Sequence, residues 1–208
     1  MKNDSITGIT SYRFICMKPS DIFSDNDCDS LIIDCGETLR ELYLQRCRHL
    51  SDRSLEALKT LTLEIVDFSS CDNFSTDAFN SFLTSQLCSL KEIRLRKCPF
   101  VTEETILHLV ASSSIVTLID LSFCENIFLE SLVRKLLQIE IQRSTNNQLT
   151  IVTLSLDEYS AHIESTNITS ALQEALDTLS TQGITIVQNL YKLSDEKSIK
   201  YEEVNNYC

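Results

Sequence analysis

The sequence predicts an α/β solenoid, a stack of short strand–turn–helix units whose strands lie side by side in one parallel sheet. Three observations carry this. The stretch Leu39–Leu61, LRELYLQRCRHLSDRSLEALKTL, opens with apolar residues at Leu39, Leu42 and Leu44, then changes to helical spacing at Leu55, Leu58 and Leu61. A unit of this size cannot bury its own apolar face and needs a copy on each side. The copies are present: the frame L-x-x-L-x-L-x-x-C of Leu39, Leu42, Leu44 and Cys47 returns three times. It returns as Leu63, Val66, Phe68, Cys71, as Leu90, Ile93, Leu95, Cys98, and as Val116, Ile119, Leu121, Cys124.

A weaker copy is Ile151, Leu154, Leu156 with Tyr159 in the cysteine place, and the weakest is Ile184 and Ile186 with Asn189 there. Successive frames are 24, 27, 26, 35 and 30 residues apart. These steps lie near or just above the roughly 20–29 residues of a leucine-rich repeat. The expected organisation is an irregular N-terminal segment at 1–29, a leucine-rich-repeat domain at 30–193 with a cap at 30–38 and about six units, and a polar tail at 194–208.

Each element follows from its residues. Ile6–Ile15 carries scattered apolar and β-branched residues and reads as one irregular strand. Asp25, Asp27 and Asp29 imitate the start of a calcium loop, but Ser30 replaces the glycine and Gly36 stands where the bidentate glutamate belongs. That region reads as a solvated linker, and Ser30–Cys35 as a short buried strand within the cap. Helices are expected at Leu55–Leu61, Thr76–Leu87, Thr102–Val110, Leu129–Gln142 and Ser170–Leu179. Thr102 is a natural N-cap, with Glu103 and Glu104 in the first turn, and Ser170 with Gln173 fits a capping box. The longer fourth helix, the polar Arg143–Gln148 loop and the Tyr159–Asn167 connection account for the stretched spacing.

Composition narrows the function. The 208 residues suffice for one domain with a sizeable core, and 43% are hydrophobic, with three glycines and two prolines. The formal charge is −12, the wrong sign for a phosphate-binding surface, so no nucleic acid is expected as a partner. Four of the nine cysteines hold one fixed place in the repeat and there is no CxxC. Cys47, Cys71, Cys98 and Cys124 therefore read as a structural ladder of reduced, unmetallated core thiols. The N-terminus lacks a charged-then-apolar signal and no apolar run reaches a membrane span, which points to a cytoplasmic or nuclear protein without membrane contact.

The cysteine frame is more specific than leucine richness alone. Leu42-x-Leu44-x-x-Cys47-x-x-Leu50-Ser51-Asp52, backed by Leu55 and Leu58, resembles the cysteine-containing leucine-rich repeats of F-box/LRR proteins and AMN1-like mitotic-exit antagonists. Leu95-x-x-Cys98-x-x-Val101-Thr102 carries the same signature, Cys71-x-x-Phe74-Ser75-x-Asp77 a looser one, and Cys124-x-x-Ile127 runs into Phe128 and Leu129. The resemblance implies protein recognition, as a substrate-recognition or adaptor element linked to ubiquitin ligation. Residues 1–38 lack the leucine-proline opening of an F-box, so contact with Skp1 and cullin components would run through another chain.

In such an architecture the strands line the concave face. Their outward residues form columns: Tyr43, Asp67, Arg94, Asp120, Ser155 and Thr185; then Gln45, Ser69, Arg96, Ser122, Asp157 and Val187; and, on the other side, Glu41, Ile65, Glu92, Leu118, Thr153 and Gly183. Tyr43, Ile65, Asp67, Arg94, Arg96 and Asp120 are the candidate protein-binding residues. Arg94 and Arg96 form a basic island suited to an acidic or phosphorylated segment, unless they neutralise Asp67, Asp120 and Glu92. No catalytic residue, cofactor or metal site is expected. His49, His108 and His162 are scattered, and there is no glycine-rich phosphate loop and no G-x-S-x-G. The alternative to a binding module is an assembly subunit docked through its helices.

Overall fold

The computed structural model describes residues 14–16, 23–35, 37–138, 152–156 and 170–188. Strands and helices alternate: β1 (Phe14–Cys16), α1 (Asp25–Cys35), β2 (Glu41–Tyr43), α2 (Asp52–Leu58), β3 (Ile65–Asp67), α3 (Thr76–Gln86), β4 (Glu92–Arg94), α4 (Glu103–Ser112), β5 (Leu118–Asp120), α5 (Leu129–Leu136), β6 (Val152–Leu156), α6 (Ser170–Thr181) and β7 (Ile184–Gln188). The strands form one seven-stranded sheet in chain order, every neighbour parallel. The chain is an α/β solenoid. Its sheet is built as parallel sheets are, with each strand reached through a crossover helix.

The frame residues make the core. Leu39, Leu42, Leu44, Cys47 and their counterparts through Cys124 are at most 1% exposed. Each middle strand residue (Leu42, Val66, Ile93, Ile119) points inward, and its two neighbours point to the opposite face. Behind the strands, Phe68 meets Phe79 and Phe82 of α3 edge-on, and Phe74 and Phe100 extend the cluster into the next unit.

Each unit leaves its strand by the same turn. The residue before the ladder cysteine has positive φ: Arg46 at 58°, Ser70 at 61°, Lys97 at 56° and Phe123 at 64°. From the second of these units on, the cysteine then donates to the carbonyl of a core residue one unit back. Cys71 Sγ reaches Leu44 O at 3.0 Å, Cys98 Sγ reaches Phe68 O at 3.2 Å and Cys124 Sγ reaches Leu95 O at 2.9 Å. Helices then start on Ser51, Ser75 and Thr102, whose hydroxyls accept from Arg53, Ala78 and Thr105 N–H groups. At α5 the N-cap is Phe128, which has no such oxygen, and Glu103 Oε1 of α4 accepts its N–H at 3.2 Å instead.

Two local expectations are corrected. Ser30–Cys35 is not a strand, and Asp25–Asp29 is not a linker; both belong to α1. Cys28 and Cys35 turn inward at helical spacing, with Leu31 and Ile32 packed beside them. Ile15 pairs with Leu42, a 27-residue step, so β1 and α1 make a unit in phase with the rest, and 30–35 is the end of that unit's helix. The last unit is also out of place by two residues. Leu154 pairs with Ile186, not Ile184, and Gly183 takes the left-handed region in the turn after α6, at φ 79°. The face is preserved, since a shift of two keeps the side-chain parity. The column positions given to Gly183 and Thr185 therefore fall to Thr185 and Val187. The helix expected at Leu129–Gln142 ends at Leu136, with a turn at 137–138, and expectations for Ile6–Arg13, Ile139–Gln148, Ile151, Asp157, Tyr159–Asn167, Asn189 and 194–208 lie outside the described residues.

Candidate functional site

The sheet face turned away from the helices gathers the predicted residues. Register places Glu41, Ile65, Glu92 and Leu118 in one row across β2–β5, and Tyr43, Asp67, Arg94 and Asp120 in the next. The strand exits add Gln45, Ser69, Arg96 and Ser122. All six predicted binding residues thus lie on one surface, at two depths.

Tyr43, Ile65, Arg94 and Arg96 are half-buried, as are Glu41, Glu92 and Leu118. Asp67 and Asp120 are 1% and 2% exposed and lie beneath them. Asp67 accepts from Ser69 N at 2.9 Å and from Gln45 Nε2 at 2.7 Å. Asp120 accepts from Ser122 N at 3.1 Å, from Ser122 Oγ at 2.7 Å and from Arg96 Nε. Each aspartate fastens the turn that follows its strand and anchors a side chain from the unit before. They shape the surface and offer little of their own area to it.

The arginines are committed within the chain. Arg94 Nη2 donates to Glu92 Oε2 at 3.0 Å, and its guanidinium lies 5.9 Å from the Tyr43 ring centroid, reaching over β3. Tyr43 in turn donates its hydroxyl to Glu41 Oε2 at 3.2 Å. Burial pushes the Tyr43 phenol up to about 12, with Arg94 pulling the other way. Arg96 pairs with the buried Asp120. The island that looks basic in one strand is neutralised by its neighbours. Four carboxylates (Glu41, Asp67, Glu92, Asp120) face two arginines, leaving a surplus of two negative charges.

A feature the sequence reading missed is a period of two units. ELYLQRC and EIRLRKC are alike, and so are IVDFSSC and LIDLSFC. Acidic and apolar residues consequently alternate along the first row: Glu41, Ile65, Glu92, Leu118. The signal was available in Asp67-Phe68-Ser69 and Asp120-Leu121-Ser122, whose shared spacing has a shared hydrogen-bonding role.

The ladder cysteines are buried, as expected, and burial pushes the Cys47 and Cys71 thiols up to about 12 and Cys98 well above the ordinary range. Among the described residues, no group of three or more His, Cys, Asp or Glu could hold a metal ion. His49 and His108 are both exposed and far apart in the repeat order, with the Thr84 and Ser112 hydroxyls 3.5 and 3.4 Å from the His108 ring; His162 lies outside the described residues. No described helix is long and apolar enough to cross a membrane. On the helical side, Ile33, Phe128 and Leu137 are the large apolar residues most exposed among those described.

The fold and this face define the chain as an α/β repeat solenoid. No family model matches it, and no curated protein does. Among solved structures it is similar to a chain in the crystal structure of the yeast Rad7 and Elc1 complex. The TM-score is 0.49 at 16% identity, covering 82% of this chain and 45% of that one, so this chain spans less than half of the structure it matches.

Proposed function

We propose that the chain is a leucine-rich-repeat interaction module, curved with its strands on the concave side, which holds a protein segment on the outer sheet face and performs no chemistry. The supporting observation is the order built into that face. Tyr43, Ile65, Arg94, Arg96 and Leu118 are half-buried and set on the sheet, and the Tyr43, Arg94 and Arg96 side chains are held by Glu41, Glu92 and Asp120. Contact residues fixed in advance lose little entropy on binding. Tyrosine and arginine are also the side chains that most often anchor interfaces. The setting is cytoplasmic or nuclear. A connection to ubiquitin ligation, as recognition element or adaptor through another chain, is supported by the cysteine-repeat resemblance alone.

The test is affinity purification of the tagged chain from its own cells, with two variants beside it. Tyr43→Ala combined with Ile65→Ala should lose the captured protein, and Arg134→Glu on the exposed helical side should keep it. The reverse pattern would assign docking to the helices, where Phe128 and Leu137 are exposed. Recovery of Skp1 and cullin components with the wild type would attach the module to a ligase.

A further inference from the structure

Resting on that reading of the sheet face, we propose that the segment it binds is a basic polyproline-II stretch with an apolar side chain at every third residue. Three observations lead there. The first is spacing. Ile65 and Leu118 are both half-buried and stand in one row, separated by Glu92 alone. Adjacent strands lie about 4.8 Å apart, so the two apolar positions are about 9.6 Å apart. A polyproline-II helix has three residues per turn and rises about 3.1 Å per residue, which puts residues i and i+3 on one side about 9.3 Å apart. An extended strand turns successive side chains to opposite sides and cannot repeat on three. An α-helix matches less well, since its same-face neighbours i and i+3 or i+4 rise only about 4.5–6 Å and its next same-face step, i and i+7, spans about 10.5 Å.

The second observation is charge. The row alternates Glu41, Ile65, Glu92, Leu118, so Ile65 lies between two acids and Leu118 beside one. Tyr43 and Arg94 both occupy the Oε2 atoms of these glutamates. A carboxylate has about four acceptor sites over its two oxygens, so each glutamate can still accept from a cation. The two arginines that an acidic segment would need are engaged by Glu92 and by Asp120. The third is the long-range field: a chain of −12 with a surplus of negative charge on this face draws in cationic segments and repels acidic ones. Leucine-like side chains at i and i+3 would sit on Ile65 and Leu118, and intervening cations would meet Glu41 and Glu92.

The experiment is fluorescence anisotropy of the full chain with four labelled peptides of about twelve residues. One repeats Leu-Pro-Arg. The second shuffles the same residues so that the leucines lose their three-residue spacing. The third repeats Leu-Pro-Glu, and the fourth is an arginine-rich helix with leucines seven apart. The first peptide should bind about tenfold or more tighter than each of the others. Ile65→Ala and Leu118→Ala should each weaken it about tenfold, Glu92→Gln should weaken it and flatten its salt dependence, and Arg134→Glu should leave it unchanged. Thermal melts of the variants confirm that each remains folded. Equal binding of the shuffled peptide overturns the spacing, tighter binding of the acidic one overturns the charge, and a preferred helix or no binding at all overturns the proposal outright. In every such case a captured protein that still depends on Tyr43 and Ile65 preserves the binding reading, whereas one held independently of them ends both.

Discussion

Cys71, Cys98 and Cys124 each stand one residue past a left-handed backbone position, where the chain leaves the sheet. A leucine there would fill the core but offer no donor to the carbonyl one unit back. A serine would donate but bring a hydroxyl into apolar surroundings at a desolvation cost. The thiol is small, apolar and a weak donor, so it meets both demands. Burial is also what pushes Cys47 and Cys71 up to about 12 from an ordinary 9.0. The sign of the pH effect follows. A pKa higher in the folded than in the unfolded chain gives stability that is fully present below the unfolded value. That stability is lost as the pH rises from about 9 towards 12, because the unfolded thiols ionise first. Denaturant midpoints should therefore be flat around neutrality and fall across that alkaline window. Cys71→Ala should cost about 1–3 kcal/mol at neutral pH and make the alkaline fall shallower. An unchanged alkaline slope in that variant would remove Cys71 from the explanation.

Neighbouring helices are tied by acidic residues at their first positions. Asp25 of α1 accepts from Ser51 N at 2.8 Å and Ser51 Oγ at 2.6 Å, and also from Ser54 Oγ. Asp52 of α2 accepts from Ser75 N at 2.7 Å, and Glu103 of α4 accepts from Phe128 N at 3.2 Å and Ser131 Oγ at 2.7 Å. A carboxylate near a helix N-terminus also favours that helix's dipole, so one residue serves two elements. At Asp25 burial pushes the pKa up, but the Ser51 and Ser54 hydroxyls and the Ser51 N–H outweigh it and hold the carboxyl below its usual value. Asp25→Ala should lower stability by about 1.5–3 kcal/mol, and amide exchange should quicken in α1 and the first turn of α2 while β4 and β5 keep their protection. Uniform quickening would mean that α1 is not a separately coupled element. This relay also explains how far the sequence could be read. The four strong frames and the Thr102 helix cap are local patterns, and they were legible. Helix α1 was not, because the bonds that fix it run from Asp25 to Ser51 and Ser54 in the next unit, while the run Leu31-Ile32-Ile33 imitates a strand. The candidate face was legible as columns, since parity alone selects it. Its electrostatics were legible only in part: pairing of the arginines with Glu92 and Asp120 stood as one of two readings, and the stacking of Arg94 across a strand on Tyr43 was not foreseen.

At the scale of the molecule, a solenoid is close to one-dimensional: its stability is the sum of each unit's own folding and its interfaces with the units beside it. The β1–α1 unit then matters for more than the residues it contains. Phe23 and Cys28 are 7% and 1% exposed and join the same core as Leu39 and Leu42, and Cys35 is buried as well. On the sheet, β1 pairs with β2 residue for residue, and on the helical side Arg53 of α2 donates to Asn26 at 3.2 Å and pairs with Asp29. A chain beginning at Leu39 loses one unit and one interface together. It also leaves β2 as an open parallel edge beside core leucines, which invites association with other chains. Such a chain should unfold at a lower denaturant midpoint, by more than the roughly 1–3 kcal/mol of an ordinary core substitution. It should also sediment as concentration-dependent oligomers where the full chain does not. Asp25→Ala, which cuts the helical tie and leaves the strand pairing intact, should fall between the two. A truncated chain that matched the full one in midpoint and stayed monomeric would show that β1 and α1 add no stability to the stack and that its first load-sharing unit starts at Leu39.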